Sequence, residues 1–380
     1  MSLGRGDVAG FQGLVRRPLE QAAVDCEPGT VARHSQAVSA SLSSLRQLRI
    51  LLRGDQSPIV RPLGMRQVSV SRAGAWLSSS PVADATMPGM TCDIRAAGRS
   101  FIEREGRLVE RRLAAVMFDD ADSAGAVDAV LAYRNSDGGF GHGLEPDKRC
   151  PASLPIDVER ALDILIEAGY SRVGVDALVL SACDWLGAVA WDNGAVPLAF
   201  PEIENYPRAE HWTDWTYVPG LNPTAGLAGR LHRMGVTHQW LTRATHWTWA
   251  RLESGFDEDA HALVEVLEFL AYVPDRPRAE QFAAQVGDWL ADLRWFRASP
   301  GDPGYGLTPL HLAPTPNSPW RRLFDDATID GHLNRMVRDQ EPDGGWGITE
   351  CTWVRLYFGV ARYRDTSSSA HPHGLRSALI

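Results

Sequence analysis

The chain has 380 residues, 44% of them hydrophobic and 22% charged, with a formal net charge of −9, a composition suited to one large folded core or two modest ones. No group of Lys and Arg residues forms the kind of cationic patch that holds a phosphate backbone, which excludes nucleic acid as a partner class. The most apolar run, residues 173–189, is broken by Asp176, Cys183 and Asp184 and falls short of the roughly 20 apolar residues of a membrane span, so no transmembrane segment is expected.

Residues 1–89 are rich in Gly, Ser, Arg and Val and lean basic, with only 42–52 patterned as a helix. They are read as a largely disordered extension, with Met90 an alternative start, and the N-terminus carries no secretory pattern, so a cytoplasmic protein is expected. From residue 93 the pattern turns helical, with Ile94, Ala97, Phe101, Leu108, Val109, Leu113 and Val116 on one broad face. The spacing predicts helices over 93–117, 121–134, 154–168, 174–190, 223–234, 238–254, 257–272, 277–296, 326–340 and 350–363. Pro223 and Pro277 suit first helical positions, and Gly169 and Gly235 suit left-handed caps after the last turn. Two long linkers, 191–222 and 297–319, interrupt the series, as functional loops often do. A folded domain over 90–365 and a flexible tail over 366–380 complete the expected organisation.

Cys26, Cys92, Cys150, Cys183 and Cys351 are scattered, with no CxxC, so neither a disulfide framework nor structural zinc is expected. Basic charge is carried almost wholly by arginine, and Lys148, the only lysine, is read as a remnant of coding bias without functional weight.

One unit occurs twice. Residues 118–141 align with 324–347 without a gap: FDDA opens both copies, Gly125 matches Gly331, and DGGFG at 137–141 returns as DGGWG at 343–347. Asp119 or Asp120, like Asp325 or Asp326, is expected to cap the helix that follows, and the paired glycines to allow a turn with positive φ and close backbone approach. In the second copy Gln340, Gly344 and Trp346 form a Q-x3-G-x-W pattern; its amide is expected to cap a helix beneath the indole.

DQEPDGGWG resembles the QW motif of squalene-hopene and lanosterol-type cyclases, and DGGFG resembles the glycine-rich turn of protein prenyltransferase β subunits. NSDGGFGHGLEPDKR is also similar to bacterial prenyltransferase-like proteins without an assigned reaction. The resemblance implies an all-α fold, an α/α toroid with inner and outer helix rings around a central cavity, and activity on an isoprenoid or similar apolar substrate. The catalytic motifs of these families are not reproduced. There is no DxDD, Ser123 stands where a DDxxD motif needs its last Asp, and His142, Asp147 and Cys150 do not match the zinc-ligand spacing. No metal, cofactor or obligate protein partner is therefore expected.

In such a toroid the segment after the first glycine turn leads over the cavity mouth into an inner helix. This points to His142, Glu145, Asp147, Ser153, Asp157 and Glu159, with Asp157 or Glu145 as general acid/base and His142 and Asp147 assisting. Trp212, Trp215 and Tyr217 in the first long linker, with Trp247 and Trp249 on the next helix, are candidates for an aromatic wall suited to a carbocation or prenyl chain. Tyr305 and His311 are candidates to close the same mouth. Two other readings stand beside this one: a non-catalytic helical binding module, and a carbohydrate-active glycosidase or lyase built on paired carboxylates and indoles.

Overall fold

A computed structural model describes residues 88–169 and 176–346, so the expectations for 1–87, including the helix at 42–52, for the helix at 350–363 and for the C-terminal tail lie outside the described residues. Among those described, the chain is all-α: twelve α-helices and three short 3-10 turns, with no strand beyond isolated bridges. The helices are α1 (Pro88–Glu105), α2 (Leu108–Asp119), α3 (Ala124–Leu131), α4 (Pro155–Glu167), α5 (Asp176–Val189), α6 (Leu221–Arg233), α7 (Gln239–Glu253), α8 (Ala260–Tyr272), α9 (Arg276–Ala283), α10 (Val286–Leu290), α11 (Pro309–Leu312) and α12 (Asp326–Arg338). No helix among them is long and apolar enough to cross a membrane.

Two predicted helices are broken. The one expected over 93–117 stops at Glu105 and restarts at Leu108, because Arg107 is extended and its guanidinium binds Glu110 and the carbonyls of Gly143 (2.6 Å) and Leu144 (2.9 Å). The one expected over 277–296 ends at Ala283, resumes only for Val286–Leu290, and gives way to a loop in which Trp295 has φ 59° and Phe296 bridges to Leu307. Periodicity cannot report either break, since both come from contacts distant in sequence. The start of α8 is delayed to Ala260 by Asp259, whose carboxylate accepts from the His261 and Ala262 amides.

Packing follows a regular alternation. α2 packs on α4, α4 on α6, α6 on α8 and α8 on α11, while α3, α5, α7 and α9 pack against their chain neighbours in that series and α5 also touches α7. Between α6 and α8 the approach is closest, because Gly226 and Gly229 remove side chains there. A Cβ on Gly229 would lie 2.6 Å from the Phe269 amide nitrogen, and one on Gly226 would overlap Glu265. The pairs Gly226–Glu265 and Gly229–Phe269 advance together along both helices, so α6 and α8 run parallel. α4 shares their direction: its Ile156 amide bonds Leu198 O, two residues from Val196, whose amide bonds Thr224 near the start of α6. Their N-termini therefore lie at one end of the bundle. Arg230 ties all three helices together, bonding Glu159 at 2.9 Å, Asp163 at 2.6 Å and Glu265 at 2.6 Å.

Both repeat copies build the same turn. Gly138 and Gly344 have φ of 95° and 90°, Gly139 N and Gly345 N donate to Asp137 and Asp343, and Arg134 bridges Phe140 as Gln340 bridges Trp346. Each turn also docks on two residues one helical turn apart: Gly138 and Gly139 on Ser181 and Trp185 of α5, Gly344 and Gly345 on Ala97 and Phe101 of α1. The last described turn thus returns to the first helix, a contact reinforced by Gln340 Nε2 to Ile94 O (2.9 Å) and Arg104 to Asp343 O (2.8 Å).

The acidic openings differ from expectation in one copy. Asp325 caps α12 by accepting from Thr328 N at 2.7 Å, but in the first copy Asp119 ends α2 in an ion pair with Arg99 and Asp120 is its left-handed cap. Asp122 accepts from Ala124 N instead. The Q-x3-G-x-W roles are also exchanged: the Gln340 amide donates to Gly344 O as well as to α1, and the indole N–H of Trp346 caps α12 at Met336 O (2.8 Å).

Candidate functional site

The segment Glu145–Cys150 is held from three sides. Arg107 fixes the carbonyls just before it, the Arg149 amide donates to Pro207 O and the Ala209 amide to Asp147 O (both 2.8 Å), and Asp157 Oδ1 in the first turn of α4 accepts the Glu145 amide at 2.7 Å. Pro155 sits in the first turn of α4, where a missing N–H costs nothing. The pairing with 207–209 carries His211 and Trp212 down onto Asp147.

Enclosed by these elements is Lys148, which is 0% exposed, as are Asp147 and Asp157. Its Nζ lies 3.3 Å from Asp147 Oδ1, 3.5 Å from Asp157 Oδ2 and 3.5 Å from Glu145 O, and 5.9 Å from the centre of the Trp212 ring. The Trp212 indole N–H donates to Asp147 Oδ2, and His211 Nε2 is 3.5 Å from the same oxygen. A lone buried ammonium would be prohibitively costly, so the carboxylates and the indole face are what make its burial possible.

Three carboxyls surround this one ammonium, and the imbalance sets their protonation. Burial raises the Glu145 carboxyl to about 8, with the neighbouring Asp147 adding to the rise against Arg160 and Lys148. Burial lifts Asp157 to about 6 against the opposing pull of Lys148 and the Glu145 amide, and it raises Asp147 as well. For Lys148 burial alone would favour the neutral amine, yet Asp147, Asp157 and Glu145 together hold its pKa above the ordinary value. Lys148 is thus a fixed positive charge, and half-buried Glu145 a neutral carboxylic acid at pH 7.

The sequence-derived candidates separate into distinct places. Glu145, Asp147 and Asp157 come together around Lys148. His142 does not join them through its own bonds: it is exposed, has φ 58°, and its Nε2 meets Asn135 Oδ1 at 2.8 Å. Trp212 is buried behind Asp147, with Trp215 edge-on to it at 4.9 Å and Tyr217 donating to Glu204. Trp249 is core packing, stacked on Phe282 and edge-on to Phe269, and Trp247 is half-buried against the same core. Glu159 belongs to the Arg230 cluster. Tyr305 bonds His261 at 2.6 Å, and His311, held at about 3 mainly by burial, completes a capping box with Thr308.

Lys148, His211 and Arg107 were missed as site residues. The signal available for Lys148 was its singularity: in a chain that uses arginine everywhere else, the one lysine is buried between two carboxylates. Among the described residues no group of three or more His, Cys, Asp or Glu side chains is arranged to hold a metal ion.

No family model matches the chain. No curated protein matches it either. Among solved structures, the crystal structure of a protein from Actinoplanes is similar at 17% identity over 67% of this chain and 72% of that one, with a TM-score of 0.37, a likeness too slight to indicate a shared fold or function.

Proposed function

We propose that the chain is an α/α-toroid enzyme in which the Glu145 carboxylic acid protonates a small apolar, isoprenoid-like substrate. The observation that carries this reading is a half-buried carboxyl raised to about 8, backed by the buried Asp157–Lys148–Asp147 assembly. A general acid must hold its proton at working pH, release it to the substrate and tolerate the charge left behind. Lys148 and Arg160 supply that tolerance, since both favour the Glu145 carboxylate once it forms. In this reading the proton passes from the Glu145 oxygen to an alkene carbon or a leaving oxygen. Asp157 fixes the Glu145 backbone, and Trp212 and His211 hold Asp147 in register. Trp215 and Tyr217, packed with Trp212 against Cys150, Leu154 and Ile156, give the assembly an apolar, aromatic flank.

Support for the toroid comes from the alternating helix contacts, the shared direction of α4, α6 and α8, and the return of the second glycine turn to α1, which repeats the docking of the first on α5.

A second reading, a non-catalytic helical module, is favoured by the way Lys148 pairs with Asp147 and Asp157 out of contact with solvent, as a structural lock between two loops would. Incubation of the full chain with prenyl diphosphates, squalene and oligosaccharides, read by mass spectrometry, separates the two. Turnover of an isoprenoid that falls at least a hundredfold in Glu145→Gln supports the proposal; no turnover of any substrate selects the module, and turnover of oligosaccharide alone selects the carbohydrate reading.

A further inference from the structure

At the N-terminus of α8 and in the second long linker lies a cluster that the Glu145 reading does not use. Asp259 Oδ1 lies 3.1 Å from His261 Nδ1, and His261 Nε2 lies 2.6 Å from the Tyr305 hydroxyl, the two rings being stacked with centroids 5.8 Å apart and planes 9° from parallel. This is the geometry of an activated nucleophile: a hydroxyl within hydrogen-bond reach of a base, and the base oriented by a third group. The Asp259 contact fixes the proton on Nδ1, which leaves Nε2 to accept from the phenol. Asp259 is itself anchored, because the same oxygen caps α8 through the His261 amide at 2.9 Å.

A second feature of the same linker is a buried guanidinium, that of Arg297. Arg297 is only 6% exposed, and its Nε and Nη2 have no hydrogen-bond partner among the described residues. Its backbone is fastened to the segment that carries Tyr305, with Arg297 N donating to Leu307 O at 2.7 Å and its side-chain stem packed against Gly306. Buried guanidinium donors are costly to leave unsatisfied, and an oxyanion would satisfy them. Tyr305 is half-buried.

We infer that Asp259, His261 and Tyr305 form a second reactive centre that hydrolyses small esters or thioesters, with Arg297 as the oxyanion donor. In the first step the Tyr305 oxygen bonds to the acyl carbon, the phenolic proton passes to His261 Nε2, and Arg297 takes the charge on the carbonyl oxygen. The bond to the leaving oxygen or sulfur then breaks, and that atom receives the proton from His261. Water, deprotonated by the same nitrogen, attacks the tyrosyl ester, releasing the acid and restoring the phenol. The balance needs no reagent beyond ester and water.

The test uses the full chain and p-nitrophenyl acetate, following nitrophenol release and acetylation of the peptide containing Tyr305 by mass spectrometry. The expected result is acetyl-Tyr305 on a rapid first turnover, lost in Tyr305→Phe and slowed at least tenfold in His261→Gln. Asp259→Asn, which keeps a side-chain oxygen for the cap of α8, slows it severalfold and decides the matter should His261→Gln not fold. Arg297→Met lowers the acylation rate at unchanged ester affinity, which a purely structural arginine would not do. Absence of acetyl-Tyr305, or its formation at the same rate in the folded Asp259→Asn or His261→Gln variant, overturns the inference. Because the ester readout requires no isoprenoid turnover, this centre and the Glu145 centre fail separately.

Discussion

Replacing Lys148 with Met probes the assembly at its centre. Methionine matches the unbranched stem and fills irregular space, so the packing loss is small and the change is chiefly the removal of one charge. Asp147 and Asp157, both 0% exposed and 3.3 and 3.5 Å from the ammonium, lose their common counter-ion. Removing one partner of a buried ion pair costs about 3–5 kcal/mol, which for a domain of this size lowers Tm by on the order of 10 °C. The cost depends on pH with a definite sign. Lys148 lowers the pKa of both carboxyls in the native protein, so without it their folded values rise further above the unfolded ones. A carboxyl raised on folding adds stability below its unfolded pKa and gives that stability up as pH rises through its folded pKa. The deficit of Lys148→Met therefore grows between pH 5 and pH 8 and shrinks toward acid. Urea denaturation of wild type and variant across that range measures it. A deficit under about 1 kcal/mol, or one that does not change with pH, would refute the reasoning that Lys148 compensates two buried carboxylates.

Three further outcomes follow from the same geometry. With a single lysine in the chain, reductive methylation with labelled formaldehyde is expected to modify only the α-amino group of the native protein and to add Lys148 in denaturant; labelling of native Lys148 would show that it is not enclosed. In Asp157→Asn the wild-type loss of stability between about pH 4 and pH 7, which accompanies ionisation of a carboxyl raised to about 6, flattens, and an unchanged slope of stability against pH would contradict the assignment. Gly226→Ala places a methyl group onto Glu265 and Arg230, so calorimetry should show a loss of about 2–3 kcal/mol from overpacking, whereas Gly287→Ala, with open space around it, changes little.

The glycine turns were legible because their chemistry is local. An aspartate one residue before two glycines bonds the second glycine's amide, and the first glycine takes a φ few other residues accept, so DGG reads as a turn wherever it occurs. Asp157 was legible for a related reason, since Ala161 and Ile164, one and two turns on from it, need burial and carry it inward. The helix break at Arg107 was not legible, because what stops the helix is the grip of Arg107 on Gly143 and Leu144, far along the chain. His142 follows the glycine turn into the segment expected over the cavity mouth, but a left-handed backbone turns it toward Asn135. Lys148 was not legible because arginine predominance has a compositional explanation that leaves the single lysine without a local signal. Its partners Asp157 and Trp212 meet it only through tertiary structure, as do Tyr305 and His261.

The protonation of Glu145 is the most direct test of the account. Infrared difference spectra between wild type and Glu145→Gln isolate the protonated-carboxyl band of this residue, and titration from pH 5 to pH 10 follows its loss. The expected midpoint is near 8, as set by burial and the neighbouring Asp147, and it falls in Asp147→Asn as that repulsion is removed. A midpoint near 4.5, the ordinary value for a glutamate in water, would leave no acid to donate at neutral pH and would contradict the proposed function.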